Sequence, residues 1–212
     1  HPDHPLHWKL YACEMVATTV LMLCGIVSVT VLTTPYTPIG RALAPHPLAQ
    51  TALCGLFFGL SGTVAAFTPF GRVSGAHVSP SVSLAFSLAG RLGMIDLCGY
   101  ITAQMIGACL ATALLAGLGH VLPVWGQMAQ ASAYAATIPF QHVSVLWPLA
   151  TELVLTVLLV LMICALAAHP TLKWLTPWAG GLFFLACNPI SAWLSGNSSN
   201  LARSFGPALV AG

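Results

Sequence analysis

Charged residues are scarce in this sequence, which has only six Lys and Arg and four Asp and Glu among 212 residues. They make up 5% of the chain, whereas an average soluble domain carries about 25%. So few charges cannot cover a surface that faces water, and 58% of the residues are hydrophobic. The composition therefore predicts a protein embedded in a membrane. The scattered cations form no basic patch, so we expect no nucleic-acid partner.

Motifs for metal binding and catalysis are also missing. The seven cysteines lie in apolar segments, and no CxxC or Cys/His spacing indicates zinc. We interpret the His-rich start, with His1, His4 and His7, as a solvated tail rather than a metal site. No nucleophile–base pair or phosphate-binding loop suggests an enzyme. The sequence therefore predicts neither catalysis nor a cofactor nor a bound metal.

Long apolar stretches dominate the chain instead. A membrane-spanning helix needs about 20 apolar residues. Spans are predicted at 9–33, 49–70, 96–119, 147–168 and 175–194. The apolar segments 80–90 and 201–212 are too short to span, and residues 120–146 are expected to form a long middle loop. The predicted fold class is an all-α membrane protein.

The distribution of cations predicts the orientation. Lys9, Arg72, Arg91 and Lys173 fall at the N-terminus and on the second and fourth loops, whereas Arg41 falls on the first loop. Lys and Arg accumulate in cytoplasmic loops. We therefore expect a multi-pass integral protein of the cytoplasmic or plasma membrane, with its N-terminus in the cytoplasm.

The two halves of the chain repeat. Glu14 opens the first span as Glu-Met-Val-Ala-Thr, and Glu152 opens the fourth as Glu-Leu-Val-Leu-Thr. Three spans separate the two glutamates, so the halves should insert with opposite topology, as in many transport proteins. We expect one transmembrane domain over 1–212, with repeat one at about 9–119 and repeat two at about 147–212. We expect repeat two to be incomplete over these residues, because a counterpart of the third span would follow residue 212.

A small polar turn precedes each of the two short apolar segments, at 75–84 and at 196–207. Two such interrupted segments, one in each half, indicate a site at the membrane midplane. Half-helices entering from opposite sides would point their positive N-terminal ends at the centre and repel cations and protons. Ser79 and Asn200, as first residues, are expected to cap these half-helices and to contact solute.

Several polar side chains fall within or beside the apolar segments. Glu14 and Glu152 are expected to accept hydrogen bonds from loop backbone and to support the loops, with direct solute contact or a proton relay as the alternatives. Arg203 is expected to project into the pore rather than snorkel to the interface. His77 is interpreted as a packed loop residue, with a pH-sensitive gate as the alternative. Gln104 is expected to bond between helices.

These motifs resemble those of the aquaporin (major intrinsic protein) family. Residues 75–80 resemble its Gly-x-His-x-Asn-Pro loop, residues 200–207 resemble Asn-Pro-Ala-Arg-Ser-Phe-Gly-Pro, and residues 99–107 match its third span. The resemblance implies a right-handed helical bundle with two inverted repeats and two pore-facing half-helices. It also implies a homotetramer in membrane lipid, with water and small neutral solutes passing through one pore per subunit.

The sequence departs from the family at both Asn-Pro-Ala triplets. These read Ser79, Pro80, Ser81 in the first loop and Asn200, Leu201, Ala202 in the second. Serine keeps a hydroxyl donor but loses the amide pair, and a leucine stands where a proline usually interlocks the loops. We expect a central constriction that is looser or differently hydrated.

The family's selectivity filter lies at fixed offsets from the two loops. Here the offsets give Gly59, Asn188, Asn197 and Arg203. Water-selective members carry Phe and His at the first two positions, so the resemblance predicts a wider and more polar filter, similar to nodulin-like channels that pass urea or metalloid acids. A slip of one residue would replace Gly59 with Phe58 or Leu60.

The predicted function is a passive channel for water and small uncharged solutes, with urea, polyols and metalloid acids as candidates. Three alternatives remain from the sequence: a water-selective aquaporin, a proton-coupled secondary transporter and a non-conducting structural subunit.

Overall fold

The computed structural model describes residues 6–211, and the regular structure in this range is entirely helical. The helices are α1 (Trp8–Thr33), α2 (Pro38–Leu43), α3 (Pro47–Phe67), α4 (Pro69–Ser74), α5 (Pro80–Leu88), α6 (Met94–Val121), α7 (Pro123–Ala131), α8 (Leu146–Ala168), α9 (Ala179–Ser195) and α10 (Leu201–Ala211). The prediction of an all-α protein is confirmed.

Four of these helices are long and apolar enough to cross a membrane, namely α1, α3, α6 and α8. The fifth predicted span corresponds to α9, which has only 17 residues. A 3₁₀ segment, Lys173–Trp178, precedes α9 directly and supplies the remaining length. The chain is therefore an integral membrane protein.

Proline opens five of the helices. A proline in the first turn sacrifices no hydrogen bond, because that amide has no partner inside the helix. The prolines are Pro38, Pro47, Pro69, Pro80 and Pro123. The prediction of a long middle loop at 120–146 was wrong for its first part, because the last of these prolines starts α7 directly after α6 ends.

Close helix contacts depend on small residues. A side chain at Gly107 of α6 would begin 2.5 Å from the Met15 carbonyl oxygen of α1. The Thr19 hydroxyl donates to the Gly107 carbonyl at 3.2 Å. Backbone approach of this kind is the usual way in which helices associate within lipid. It holds α1 and α6 together around a core that includes Met22 and Ile26.

The outer surface is apolar. On α8, Leu149, Leu153 and Leu161 are 63%, 64% and 60% exposed. Such exposure would be costly in water, whereas hydrocarbon chains are as apolar as leucine itself. Near the start of α1, the His7 ring Nδ1 lies 2.7 Å from the Asp96 carboxylate. His1 and His4 lie outside the described residues.

Candidate pore

The two loops that precede α5 and α10 have the same backbone conformation. Three pairs of matching positions adopt left-handed φ angles, a conformation that costs a residue other than glycine about 1–2 kcal/mol. The pairs are Gly75 and Gly196 (88° and 83°), Ala76 and Asn197 (47° and 48°), and Val78 and Ser199 (46° and 48°). The two loops are therefore conformational copies, one in each half of the chain.

The half-helices differ in how they are capped. The Asn200 Oδ1 accepts hydrogen bonds from the Ala202 and Arg203 amides at 3.1 and 3.3 Å, so it caps α10 as predicted. Ser79 does not cap α5, and that prediction was wrong. Its hydroxyl contacts neither the amides of the first turn nor any other hydrogen-bond partner among residues 6–211.

The two loops are joined directly by a side chain. The Asn200 Nδ2 donates to the Val78 carbonyl at 2.8 Å. Leu201, at the position of the missing proline, is 59% exposed. One asparagine therefore caps its own half-helix and also binds the opposite loop.

Two glutamates accept hydrogen bonds from the loop backbones. Glu14 is fully buried, and its Oε1 accepts from the Val78 amide and, at 2.8 Å, from the Gln104 Nε2. The Glu152 carboxylate accepts from the Ser198 amide at 2.9 and 3.1 Å and from the Ser199 amide at 2.8 Å. Each carboxylate thus satisfies donors that a loop cannot satisfy alone.

His77 lies in a packed cage beside the first loop. Its Nδ1 is 3.1 Å from the Ser83 hydroxyl, which also accepts from the Gln104 Nε2 at 2.9 Å. Its ring centroid lies 4.5 Å from that of Phe86 and 5.0 Å from that of Tyr100. These contacts connect His77, through Gln104, with the carboxylate that holds the same loop.

Arg203 is buried inside the bundle rather than snorkelling to a membrane interface. Its Nη1 donates to the Ala135 carbonyl at 2.7 Å, and its guanidinium carbon lies 4.3 Å from the centre of the Phe58 ring. Ala135 belongs to a left-handed 3₁₀ turn, Ala133–Ala135, in the middle loop. A strained turn and an aromatic ring therefore fix the position of the guanidinium.

Two cavities meet at Arg203. The proximal cavity, of about 200 Å³, lies toward the start of α1 and is lined by Ser79 and Asn200 among others. The distal cavity, of about 440 Å³, lies toward the end of α1. Four residues line both cavities and define the junction between them: Phe58, Phe184, Ser198 and Arg203.

The four predicted filter residues occupy different places. Arg203 lies at the junction, while Asn188 and Asn197 line the distal cavity. The Asn197 Nδ2 donates to the Asn188 Oδ1 at 3.0 Å, so the two amides bind each other. Gly59 lines the proximal cavity and packs against the Gly180 backbone, which a Cβ at Gly59 would overlap.

Sequence reasoning with the chosen offsets missed three junction residues: Phe58, Phe184 and Ser198. The one-residue slip considered for the first offset leads to Phe58. Phe184 lies four residues before Asn188 and hence on the same face of α9. Ser198 directly follows Asn197, so its place next to the pore loop was available from the motif itself.

Two matched loops meet inside the helical bundle, beside the junction of two adjoining cavities. This arrangement defines a transmembrane channel. The chain matches the family model described as "Major intrinsic protein" over residues 3–212. The chain belongs to the major intrinsic protein family.

Known relatives agree with this assignment. The chain is 33% identical to "Probable aquaporin NIP7-1" of Arabidopsis thaliana, covering 99% of this chain and 74% of that protein. It is 32% identical to "Probable aquaporin TIP2-1" of Oryza sativa subsp. japonica, covering 96% of this chain and 77% of that protein. Among solved structures, the aquaglyceroporin from Plasmodium falciparum superposes with a TM-score of 0.73 at 21% identity, covering 96% of this chain and 81% of that one. This structural likeness confirms the aquaporin-like fold.

Proposed function

We propose that this protein is a passive channel that lets water and small uncharged solutes cross a membrane. The observation that carries the proposal is the junction of two cavities at Arg203, next to the contact between the two pore loops. The lining of the two cavities is largely apolar, and Arg203 places a buried set of hydrogen-bond donors where they meet. The relatives named as aquaporins support the same interpretation.

The electrostatics of the junction favour neutral solutes. The half-helices α5 and α10 start at the two loops, so each directs the positive end of its dipole toward the centre. Arg203 adds a positive charge, which the Glu152 carboxylate offsets only from beyond ion-pair distance. Cations and protons are repelled by such a field, while a neutral solute can accept hydrogen bonds from the guanidinium.

We infer that solutes larger than water also pass. Asn188 binds Asn197 in the distal cavity and does not line the junction, so no side chain of the predicted aromatic or histidine type narrows the junction from that position. Phe58 and Phe184 add apolar surface next to the guanidinium donors of Arg203 and the polar residue Ser198. A junction with apolar and polar sides suits urea, polyols or metalloid acids of similar size.

A water-selective channel is the second candidate function. The observation that favours it is the Phe58 ring against Arg203, which makes the junction narrower than the predicted glycine would. The two candidate functions differ only in the largest solute that passes. A comparison of the water flux with the flux of urea or glycerol therefore separates them.

The glutamates are proposed to support the loops rather than to relay protons. The contacts described above for the carboxylates of Glu14 and Glu152 all run to the pore loops or to Gln104. Glu14 is fully buried among its partners. Supporting roles in two symmetric copies explain why both halves carry the same residue.

We propose a homotetramer with one pore per subunit and lipid around its outer helices. We also propose a cytoplasmic N-terminus, because four cations lie on that face. They are Lys9 near the start of α1, Arg72 in α4, Arg91 between α5 and α6, and Lys173 before α9.

Stopped-flow light scattering on proteoliposomes tests this function. Wild-type vesicles should shrink faster than empty ones under an osmotic step, and should then swell again as urea or glycerol enters. Neither flux should require a proton gradient or dissipate one. Concentrative uptake driven by a pH gradient would establish a transporter instead, and exclusion of every solute but water would establish the second candidate.

A further inference from the structure

Helices α3 and α9 touch backbone to backbone beside the junction. A Cβ at Gly59 would overlap the Gly180 and Gly181 backbone, and a Cβ at Gly55 would lie 2.6 Å from the Asn188 Nδ2 and overlap the Phe184 carbonyl. Only glycine permits this approach. The contact fixes the distance between α3, which carries Phe58, and α9, which carries Phe184.

Packing therefore determines which residue of α9 lies at the junction of the two cavities. Asn188 is held in the distal cavity, where its Oδ1 accepts from Asn197 and its Nδ2 donates to the Thr51 carbonyl at 3.4 Å. Phe184, one helical turn earlier, lines both cavities. Its ring thus lies at the same level of the passage as Arg203.

We propose that Phe184 is a specificity-determining residue of the channel, and this inference rests on the proposed function. The rings of Phe184 and Phe58 bound the junction on its apolar side, and Arg203 and Ser198 supply the polar side. A solute with one CH edge and one OH or NH edge, such as a polyol or an amide, contacts both sides at once. The bulk of Phe184 sets the largest such solute that can enter.

The adjacent aromatic residue provides a matched control. The ring centroid of Phe183 lies 5.5 Å from that of Phe184, yet Phe183 lines neither of the two described cavities. Removing either ring deletes the same number of atoms from the same helix. Only the removal of Phe184 enlarges the junction.

The test compares water, urea and glycerol permeabilities of proteoliposomes that contain wild type, Phe184→Ala, Phe184→Trp or Phe183→Ala. Phe184→Ala should raise the ratio of glycerol to water permeability about tenfold, which corresponds to about 1.4 kcal/mol in barrier height. Phe184→Trp should lower the ratio, and Phe183→Ala should leave it unchanged. Phe184→Leu, which disturbs packing least, should give an intermediate ratio.

Each outcome supports or overturns the inference. An unchanged ratio in Phe184→Leu, Phe184→Ala and Phe184→Trp, with normal water flux, overturns the role of Phe184 but leaves the channel function intact. An equal change in Phe183→Ala overturns it as well, because the effect would then come from general packing. A wild type that conducts neither water nor solute refutes the proposed function itself. If Phe184→Ala fails to fold, the other two variants test the inference. Phe184→Leu should raise the ratio of glycerol to water permeability, and Phe184→Trp should lower it.

Discussion

The Arg203 guanidinium carbon lies 4.3 Å from the centre of the Phe58 ring. A cation over an aromatic face is stabilised by about 0.5–2 kcal/mol, most where water is excluded. Arg203 is buried and has a second anchor in the Ala135 carbonyl. The two contacts give the guanidinium a single position at the junction of the two cavities.

Replacing Phe58 should therefore alter selectivity. Phe58→Ala removes one of the two anchors of Arg203 and part of the apolar side of the junction, so glycerol should pass faster relative to water. The matched control is Phe57→Ala, because Phe57 is exposed on the surface of α3 and lines neither described cavity. Flux ratios in proteoliposomes provide the measurement, and equal ratios in the two variants would contradict this role of Phe58.

Glu14→Gln and Glu152→Gln should impair folding or conduction without abolishing selectivity. An amide accepts fewer hydrogen bonds than a carboxylate, and each buried donor left unmet costs about 1–3 kcal/mol. The loss from unmet donors should be larger for Glu152, because both of its oxygens accept backbone amides, whereas the two bonds described for Glu14 both end on Oε1. Thermal unfolding in detergent, followed by flux measurements, checks both effects. Normal folding together with the loss of only a pH-dependent flux would indicate a proton relay.

The first residues of the two half-helices should differ in their importance. Asn200→Ala loses the cap of α10 and the bond to the Val78 carbonyl, and a lost cap alone costs about 0.5–2 kcal/mol. Ser79→Ala should be almost neutral for stability, because the Ser79 hydroxyl has no partner among the described residues. Unfolding midpoints of the two variants can be compared directly. A larger loss for Ser79→Ala would contradict the described loop contact.

Glycine at position 59 should be required for folding rather than for pore width. Gly59→Ala forces α3 and α9 apart, and overpacking of this kind costs about 1–3 kcal/mol. Gly62→Ala is the control on the same helix, because a Cβ there would lie 3.6 Å from the Leu21 Cδ1, an ordinary contact. The yield of folded protein and the unfolding midpoint should fall only for Gly59→Ala. A stable Gly59→Ala variant with a narrower pore would contradict this role and would show that Gly59 belongs to the selectivity filter.

The positions of the spans could be predicted from the sequence because a run of about twenty apolar residues is typical of a membrane-spanning helix. The pore loops could be predicted because both carry a small polar turn before a short apolar segment. Arg203 was recognisable since a lone cation in apolar surroundings demands a polar cavity. These features depend on local composition alone.

Residues at the junction were harder to predict, because their placement depends on the register between elements. The offset from Ser79 back to Gly59 crosses the short helix α4 and two turns, and one residue of slip separates a glycine from the aromatic Phe58. The helices α2, α4 and α7 are too short for hydrophobic periodicity to identify. The bond between Asn188 and Asn197 exists only once α9 and the second loop have folded together.

The most direct test of the central claim is osmotic water flux through the intact protein before and after thiol modification. Cys54 lines the distal cavity beside Phe58 and Arg203, whereas Cys24 of α1 lines neither described cavity. Wild-type vesicles should shrink faster than empty ones and should slow to the lipid rate after a bulky methanethiosulfonate reagent is added. Cys54→Ser should resist the reagent, and Cys24→Ser should remain sensitive. Vesicles that never shrink faster than empty ones, or a block that persists in Cys54→Ser, would contradict a channel through these two cavities.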